Sequence, residues 1–395
     1  MSAVDDPVVI VGMARTPMGG LLGELTTLSA NELGAIAVKA AMEEAGVAGE
    51  DVDQIFMGNV LGAGQGQAPA RQAGIKAGLP KSVEATTLNK MCGSGMQAAI
   101  MGRSAIMSGD ANIIVAGGME SMSNAPHLLP THRGGMKYGH DVLKDHMAQD
   151  GLEDAYEKKP MGVYADMIAQ EHQFTREQQD AYALETLARA QRATKNGDFK
   201  REITPVTMTT RKGDVVVDTD ELPRRAMPDK IPSLRPAFGK DGTVTAANAS
   251  GISDGAAALV LMRKSEAERR GLKPLARIVA TAAHAHEPAY FTTAPVPAMR
   301  KAVERAGWTI EDVDLWEINE AFAVVPMIAM KELGLSHDKV NVNGGACALG
   351  HPIGASGARV IVTLIAALEK HGKTKGVASL CIGGGEATAV AIERL

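Results

Sequence analysis

The segment Asn89-Lys90-Met91-Cys92-Gly93-Ser94-Gly95 places a cysteine between a short strand-like run, Glu84 to Asn89, and a run with helical spacing of apolar residues, Met96 to Ser108. A thiol at a helix start is placed to be a nucleophile, because unpaired N–H groups and the helix dipole there favour the thiolate and lower a cysteine pKa below its usual ~8.5. The other reading of Cys92 is a packed structural cysteine. A second thiol, in Cys381-Ile382-Gly383-Gly384-Gly385, follows an apolar strand ending at Leu380 and repeats the same placement. The stretch Asn343 to Gly357 holds five glycines in fifteen residues around His351. Opposite a cysteine, that imidazole would be a general base with a pKa near the working pH; alone, it reads equally as a packed core histidine. Asn319-Glu320-Ala321-Phe322-Ala323 follows the strand-like Leu315 to Ile318 and opens a helix. Asn319 is either its N-cap or an amide able to hold a water or an oxyanion. No C-x-x-C or H-x-x-H pair exists, so a metal site is not expected, and Cys347, between Ala346 and Ala348, reads as packing.

The elements that must position these groups come twice. Residues 43 to 53, EEAGVAGEDVD, match residues 304 to 314, ERAGWTIEDVD, at seven of eleven positions with an offset of 261. At offset 262, Gly93-Ser94-Gly95 meets Ala355-Ser356-Gly357, each leading into an apolar helical pattern. In the first copy, 1–123, Val8 to Val11, Asp53 to Val60 and Asn112 to Ala116 read as strands, and Ser29 to Glu32 as a capping box opening a helix to about Ala45. In the second, 274–395, strands are expected at Ala276 to Ala282, Leu315 to Ile318, Val340 to Val342 and Val377 to Leu380, with helices near 297–306, 321–333 and 356–371. This alternation predicts α/β units with mostly parallel buried sheets, whose ligands gather at the carboxyl ends of strands. Between the copies, 124–247 differs in character, with one long helix at Arg176 to Asn196, and reads as an inserted lobe. Its segment Arg224 to Lys240 holds five basic residues, either a solvated loop or a docking site for a phosphorylated ligand. Asn248 to Ala257 returns the chain to the first core, which 248–273 completes.

The composition fits this. The 395 residues are 45% hydrophobic and 22% charged, those of an ordinary globular protein with room for two or three domains. With 41 Lys and Arg against 46 Asp and Glu, and only six Phe, two Trp and five Tyr, the chain is not expected to bind nucleic acid. Three cysteines point to a reducing compartment. Met1 to Pro7 carries two aspartates and no basic or long apolar run, and the last residues are Glu393-Arg394-Leu395. No targeting signal or membrane span is read, and a cytoplasmic location is expected.

Together NKMCGSG, NASGISDG, NEAFA, GHPIGASG and CIGGG resemble the thiolase family in order and spacing along the whole chain, and most closely its short-chain members, which are acetyl-CoA acetyltransferases. The resemblance implies the thiolase fold, an α/β structure of two similar halves in five layers (α-β-α-β-α) with an inserted loop domain for coenzyme A. It implies acetylation of Cys92 with His351 as its base, and Cys381 as the acid/base for a second acetyl-CoA. It also implies an enolate held by His351 with a water fixed by Asn319, and an acyl oxygen facing the N–H groups of Cys92 and Gly383. Acetyl-CoA, acetoacetyl-CoA and coenzyme A would be substrates and products, with no metal or redox cofactor. Ser250 resembles the serine that contacts the pantetheine arm, Arg224 or Arg225 the contact to the nucleotide phosphate, and Met161 the methionine that narrows the acyl pocket. Phe322 joins this substrate-binding set, and Phe291 and Tyr290 are further candidates for the acyl-pocket lining. Leu128 to Leu143 resembles the loop that ties dimers into homotetramers. Three departures weaken the substrate assignment: Pro160 for a histidine, Cys347 for a branched aliphatic, and the Gly385-Glu386-Ala387-Thr388 ending. A broader 3-ketoacyl-CoA thiolase of β-oxidation, and a noncatalytic acyl-CoA or lipid binder, are the competing readings.

Overall fold

The computed structural model describes residues 6–211 and 213–395, so Met1 to Asp5 of the N-terminal reading lie outside it. The first half contributes β1 (Val8–Arg15), α1 (Ala30–Ala45), β2 (Gln54–Gly58), α2 (Pro69–Lys76), β3 (Glu84–Leu88), α3 (Ser94–Ser108) and β4 (Ile113–Ser121). The intervening lobe holds α4 (Met161–Glu171), α5 (Arg176–Asn196) and a hairpin of β5 (Val206–Thr210) and β6 (Gly213–Val217). The chain then returns as β7 (Ser253–Arg263). The second half follows with β8 (Ala276–Ala285), α6 (Pro295–Arg305), β9 (Leu315–Ile318), α7 (Val324–Leu333), α8 (Ile353–Lys370), β10 (Lys375–Ile382) and β11 (Glu386–Arg394).

The strands run in the order β9-β10-β11-β8-β1-β7-β4-β2-β3. The join between the halves is thin: β1 meets β8 only through Val9 with Arg277 and Ile10 with Ala276. On either side of it the order is the same, β3-β2-β4-β7-β1 in one half and β9-β10-β11-β8 in the other, with a single parallel bridge from Trp316 to Val340 where the fifth strand would lie. The expected strand at Val340 to Val342 is therefore one bridge residue. The expectation of mostly parallel sheets is also corrected. β2 is parallel to β3 and β4, and β9 to β10, whereas β4–β7, β7–β1, β8–β11 and β10–β11 are antiparallel. The reason is local: Gly383-Gly384-Gly385 turns β10 straight back into β11, with φ of 98° and 87° at Gly384 and Gly385, and a tight hairpin can only be antiparallel.

Three apolar layers separate the sheets and helices. One packs α1 and α2 under the first sheet through Leu33, Val38 and Ile55. One packs α6 and α7 under the second through Met299, Ile328 and Val377. The central one holds α3 and α8 between both sheets, through Met96, Ile361 and Leu380. This is an α-β-α-β-α stack. Its middle helix α8 is buried over nearly its whole length, from Ile353 to Leu368, which is why its sequence is mostly apolar and why its few polar side chains, Ser356, Arg359 and Thr363, each have a hydrogen-bond partner. Helix α1 starts as the sequence predicts, with Ser29 and Glu32 forming a reciprocal capping box, and α5 spans Arg176 to Asn196. Among the described residues no helix is long and apolar enough to cross a membrane.

Candidate active site

Cys92 sits in the turn between β3 and α3. Met91, just before it, takes a left-handed backbone with φ of 47°, unfavourable for a side-chain-bearing residue and typical of a turn held in place by its surroundings. Ser94 does the holding: it accepts a hydrogen bond from the Lys90 N–H at 2.8 Å and donates to the Met91 carbonyl at 2.6 Å. The sulfur of Cys92 faces the backbone N–H of Gly383, in the turn between β10 and β11, as well as its own N–H. Even so, burial pushes the Cys92 thiol up to about 11, outweighing those donors, and the Glu120 carboxyl adds to the rise. The expected low-pKa thiolate is thus corrected, because a helix terminus stabilises by less than an apolar pocket withdraws.

His351 is buried, and its Nδ1 lies 2.6 Å from the Ser356 hydroxyl, which also contacts the Pro352 carbonyl at 3.0 Å. Since the carbonyl can only accept, the one hydroxyl proton goes there and Nδ1 must carry its own hydrogen. That leaves Nε2 with a lone pair, and Nε2 has no partner among the described residues. The imidazole is therefore in the tautomer of a base. Its pKa is not near the working pH as expected: burial, with the Arg359 charge, lowers it to about 3. In the sequence Ser356 marks only the repeat, and its contact with His351, five residues away across a proline, is not legible there.

Cys381 is fully buried at the end of β10, its thiol held well above the ordinary range by burial and by the neighbouring Cys92. Asn319 is not the N-cap of α7, which begins at Val324. Its N–H bonds the Ser379 carbonyl at 2.9 Å, two residues before Cys381. Its Oδ1 accepts from Arg359 Nη2 at 3.1 Å, and its Nδ2 is buried with no partner.

Short backbone bonds knit the loops together. Ser250 N–H reaches the Ala321 carbonyl at 3.0 Å, Ala323 N–H the Asn248 carbonyl at 2.8 Å, and His351 N–H the Gly251 carbonyl at 2.9 Å. Glu120, at the end of β4, gathers the N–H groups of Val60, Leu61 and Gly354 at 2.9 to 3.1 Å, and burial holds its own pKa up at about 7. Val60 and Leu61 pack with Ile353 and Cys92, so this one carboxyl ties the cysteine's surroundings to the histidine's helix. No sequence signal marked it.

The substrate-binding candidates divide. Met161 reaches Gly383, its methyl lying 3.7 Å from where a Cβ would stand. Phe322 is buried, edge-on to Phe238 and Phe291 with ring centres 6.2 Å apart in each case. Tyr290 instead turns outward to hydrogen-bond Glu171 at 3.0 Å, because its hydroxyl finds a carboxylate partner there. A groove of about 350 Å³ runs beside Ser250, lined by Leu222, Arg225, Lys230, Ala247, Gly251 and Cys347. Arg225 is on it; Arg224 is not, and pairs with Glu24 at 2.5 Å beside a separate groove. Lys240 lies in a third groove near Phe238. Among the described residues no cluster of three or more His, Cys, Asp or Glu could hold a metal.

Two thiols, one after β3 and one at the end of β10, and a buried imidazole in the loop before α8 define an enzyme with nucleophile and base chemistry, and known proteins say of which kind. The thiolase N-terminal domain model matches residues 8–265 and the thiolase C-terminal domain model residues 272–394. The acetyl-CoA acetyltransferase of Chromobacterium violaceum is 52% identical over 389 residues, covering 98% of this chain and 99% of that one. The cytosolic acetyl-CoA acetyltransferase of Mus musculus is 50% identical over 398 residues, covering both chains fully. A thiolase from Ascaris suum, solved in complex with coenzyme A, superposes with a TM-score of 0.94 at 45% identity, covering 98% of this chain and 100% of that one. The chain belongs to the thiolase family.

Proposed function

We propose that this protein is a short-chain acetyl-CoA acetyltransferase that condenses two acetyl-CoA into acetoacetyl-CoA and coenzyme A, and runs the reverse thiolysis. The observation that carries the reading is that the Cys92 thiol lies among the backbone N–H groups of Gly383 and of Cys92 itself, donors that would be at hand for the oxygen of an acyl group carried on that sulfur. Relatives at about half identity over nearly the full length bear the same activity in their names.

In the first half-reaction Cys92 attacks the thioester carbonyl while its proton passes to Nε2 of His351. Coenzyme A then leaves as the thiol, taking that proton, and the acetyl group stays on sulfur. In the second, Cys381 passes its proton to the vacated Nε2 of His351, and the resulting thiolate removes a methyl proton from a new acetyl-CoA, so that the enolate oxygen is held by the Nε2–H of His351 and by a water on Asn319 Nδ2. The enolate carbon attacks the acetyl carbonyl, the Cys92–acyl bond breaks, and the leaving Cys92 thiolate takes the proton from His351. The neutral resting pair fits this order, since proton transfer then accompanies attack and needs no preformed ion pair. Each oxyanion donor is expected to contribute about 3 kcal/mol. No metal or redox group enters, so a chelator should leave turnover unchanged.

The coenzyme would lie in the groove beside Ser250, with Arg225 or Lys230 toward its phosphates. Met161 and the Phe322 cluster would limit the acyl chain. We extend the proposal to a homotetramer joined through Leu128 to Leu143, where Met136, Tyr138, Val142 and Leu143 are exposed. A cytoplasmic location is supported by the mouse and rat relatives named cytosolic, and a place in lipid metabolism would follow from the proposed reaction alone. The test is Cys381→Ala: acetyl-CoA should still leave an acetyl mass on Cys92, while condensation is lost. Normal condensation by that variant would reverse the assignment of the two thiols. Equal thiolysis of acetoacetyl-CoA and a long-chain 3-ketoacyl-CoA would remove the short-chain part, and light scattering of a dimer the tetramer.

A further inference from the structure

Arg359 lies one helical turn and a half into α8, 1% exposed, with its guanidinium forked between two groups of the second sheet. Nη1 donates to Glu317 Oε1 at 2.8 Å and Nη2 to Asn319 Oδ1 at 3.1 Å. An amide can be turned over with little change in shape, and the two orientations offer opposite chemistry, a carbonyl or an NH₂. Arginine only donates, so only the oxygen of Asn319 can face it. The amide nitrogen is then forced to the other side, where it is buried and unpartnered. Glu317 does the same service for the arginine. Its carboxylate accepts one arm of the fork and fixes the plane of the guanidinium, as bidentate geometry does where a lysine could not. Helix α8 also carries Ser356, the partner of His351, so one helix positions both groups assigned to the enolate.

We propose that Arg359 is a positioning residue for carbon–carbon bond formation, which locks the Asn319 amide with its nitrogen toward the enolate water. The inference rests on the reading of Asn319 given above and deepens it. Without the fork, the amide samples both orientations, and the carbonyl orientation repels an enolate. The acylation half-reaction uses Cys92, His351 and the Gly383 N–H, and does not use Asn319. Through Asn319, Arg359 therefore acts on one half-reaction and not on the other, while its charge, which also lowers the His351 pKa, is common to both. A residue that merely held α8 in place would affect both, since His351 precedes that helix.

The experiment compares Cys92 acetylation, followed by mass spectrometry in rapid-quench samples, with condensation under the same conditions. Arg359→Lys keeps the charge beside Glu317 and loses the fork. It should acetylate at close to the wild-type rate and condense about 10²-fold more slowly. Glu317→Gln keeps the Arg359 charge beside His351 and loosens the other arm of the fork, and serves if the lysine variant does not fold. Added to Asn319→Ala, either change should cost nothing more, because its route runs through that amide. Equal loss in both half-reactions, or a further loss on top of Asn319→Ala, would overturn the proposal. If Asn319→Ala alone condenses normally, the enolate reading fails first and the inference goes with it.

Discussion

Gly95 of α3 and Gly357 of α8 face each other across the central layer, each closing on the backbone of the other's helix. A Cβ on Gly95 would stand 2.7 Å from the Ala358 nitrogen, and one on Gly357 would stand 2.3 Å from the Met96 nitrogen. The two glycines are equivalent in the repeat, so the halves meet through a pair of matched notches. Both helices begin at an active-site loop, which makes this contact the one that sets the distance between the cysteine and histidine loops. Gly357→Ala should lower stability by about 3 kcal/mol or more, since the obstacle is main chain and cannot rotate away. Gly95→Ala should cost less. Thermal melts of the two variants check the order, and a Gly357→Ala protein as stable as the parent would refute the close approach.

Ser94 and Ser356 are equivalent by the same offset, and both hydroxyls close the turn that precedes their helix. Ser356 has the extra task of setting the His351 tautomer. Ser356→Ala should slow Cys92 acetylation and condensation together, by 10- to 100-fold, as loss of an orienting partner generally does. Stopped-flow measurement of both half-reactions separates this from Arg359, which should affect the second alone.

The sequence made the chemistry legible and the wiring illegible. Cys92, His351, Cys381 and Gly383 could be read because each lies in a glycine-rich loop, and Asn319 because it follows a strand-like run, all local patterns. The repeat was readable because α1 and α6 end alike and α3 and α8 start alike. Glu120, Ser356 and Arg359 were not, since each acts through a side-chain contact that its neighbours in sequence do not reveal. The strand directions failed for a similar reason: β7 joins the first sheet only after the 124–247 lobe, and a period-2 pattern says nothing of its neighbours. The thiol and imidazole pKa values were misjudged because burial depth is set by the whole fold, whereas the helix terminus that suggested a thiolate is visible in a few residues.

Burial that holds Cys92 at about 11 predicts a slow thiol in the free enzyme. Iodoacetamide should alkylate it at a rate that rises about tenfold per pH unit from 7 to 9 without levelling, because the reactive thiolate fraction does so. Cys381, fully buried and held well above the ordinary range by burial and by Cys92, should lag. Peptide mapping at each pH resolves the two, and a plateau for Cys92 below pH 8 would show that the low-pKa expectation was right after all.

Arg225 and Arg224 are adjacent in sequence and face different grooves. Arg225→Ala should raise the KM for acetyl-CoA several-fold with kcat little changed, the signature of lost uniform binding. Arg224→Ala should leave KM alone, since its side chain is exposed and turned to Glu24 beside the other groove. Steady-state kinetics on both variants decides, and the opposite pattern would move the phosphate contact to the other groove.

His351 also leaves a mark on stability. Its folded pKa is depressed to about 3, below the ordinary 6.5, so between those values the unfolded chain binds a proton that the folded one does not. Stability contributed by keeping this imidazole neutral is present above pH 6.5 and is lost progressively as pH falls toward 3. Over that window the loss is on the order of 5 kcal/mol. Glu120 runs the other way: its pKa, raised to about 7, makes the folded state the better proton binder between 4.5 and 7, so its contribution declines as pH rises. A total stability curve mixes the two, and the difference between parent and His351→Gln isolates the first. Denaturant titrations at pH 7, 6, 5 and 4 should show the parent losing stability faster than the variant below pH 6.5. Parallel curves would mean that His351 titrates in the folded protein as it does in the unfolded chain.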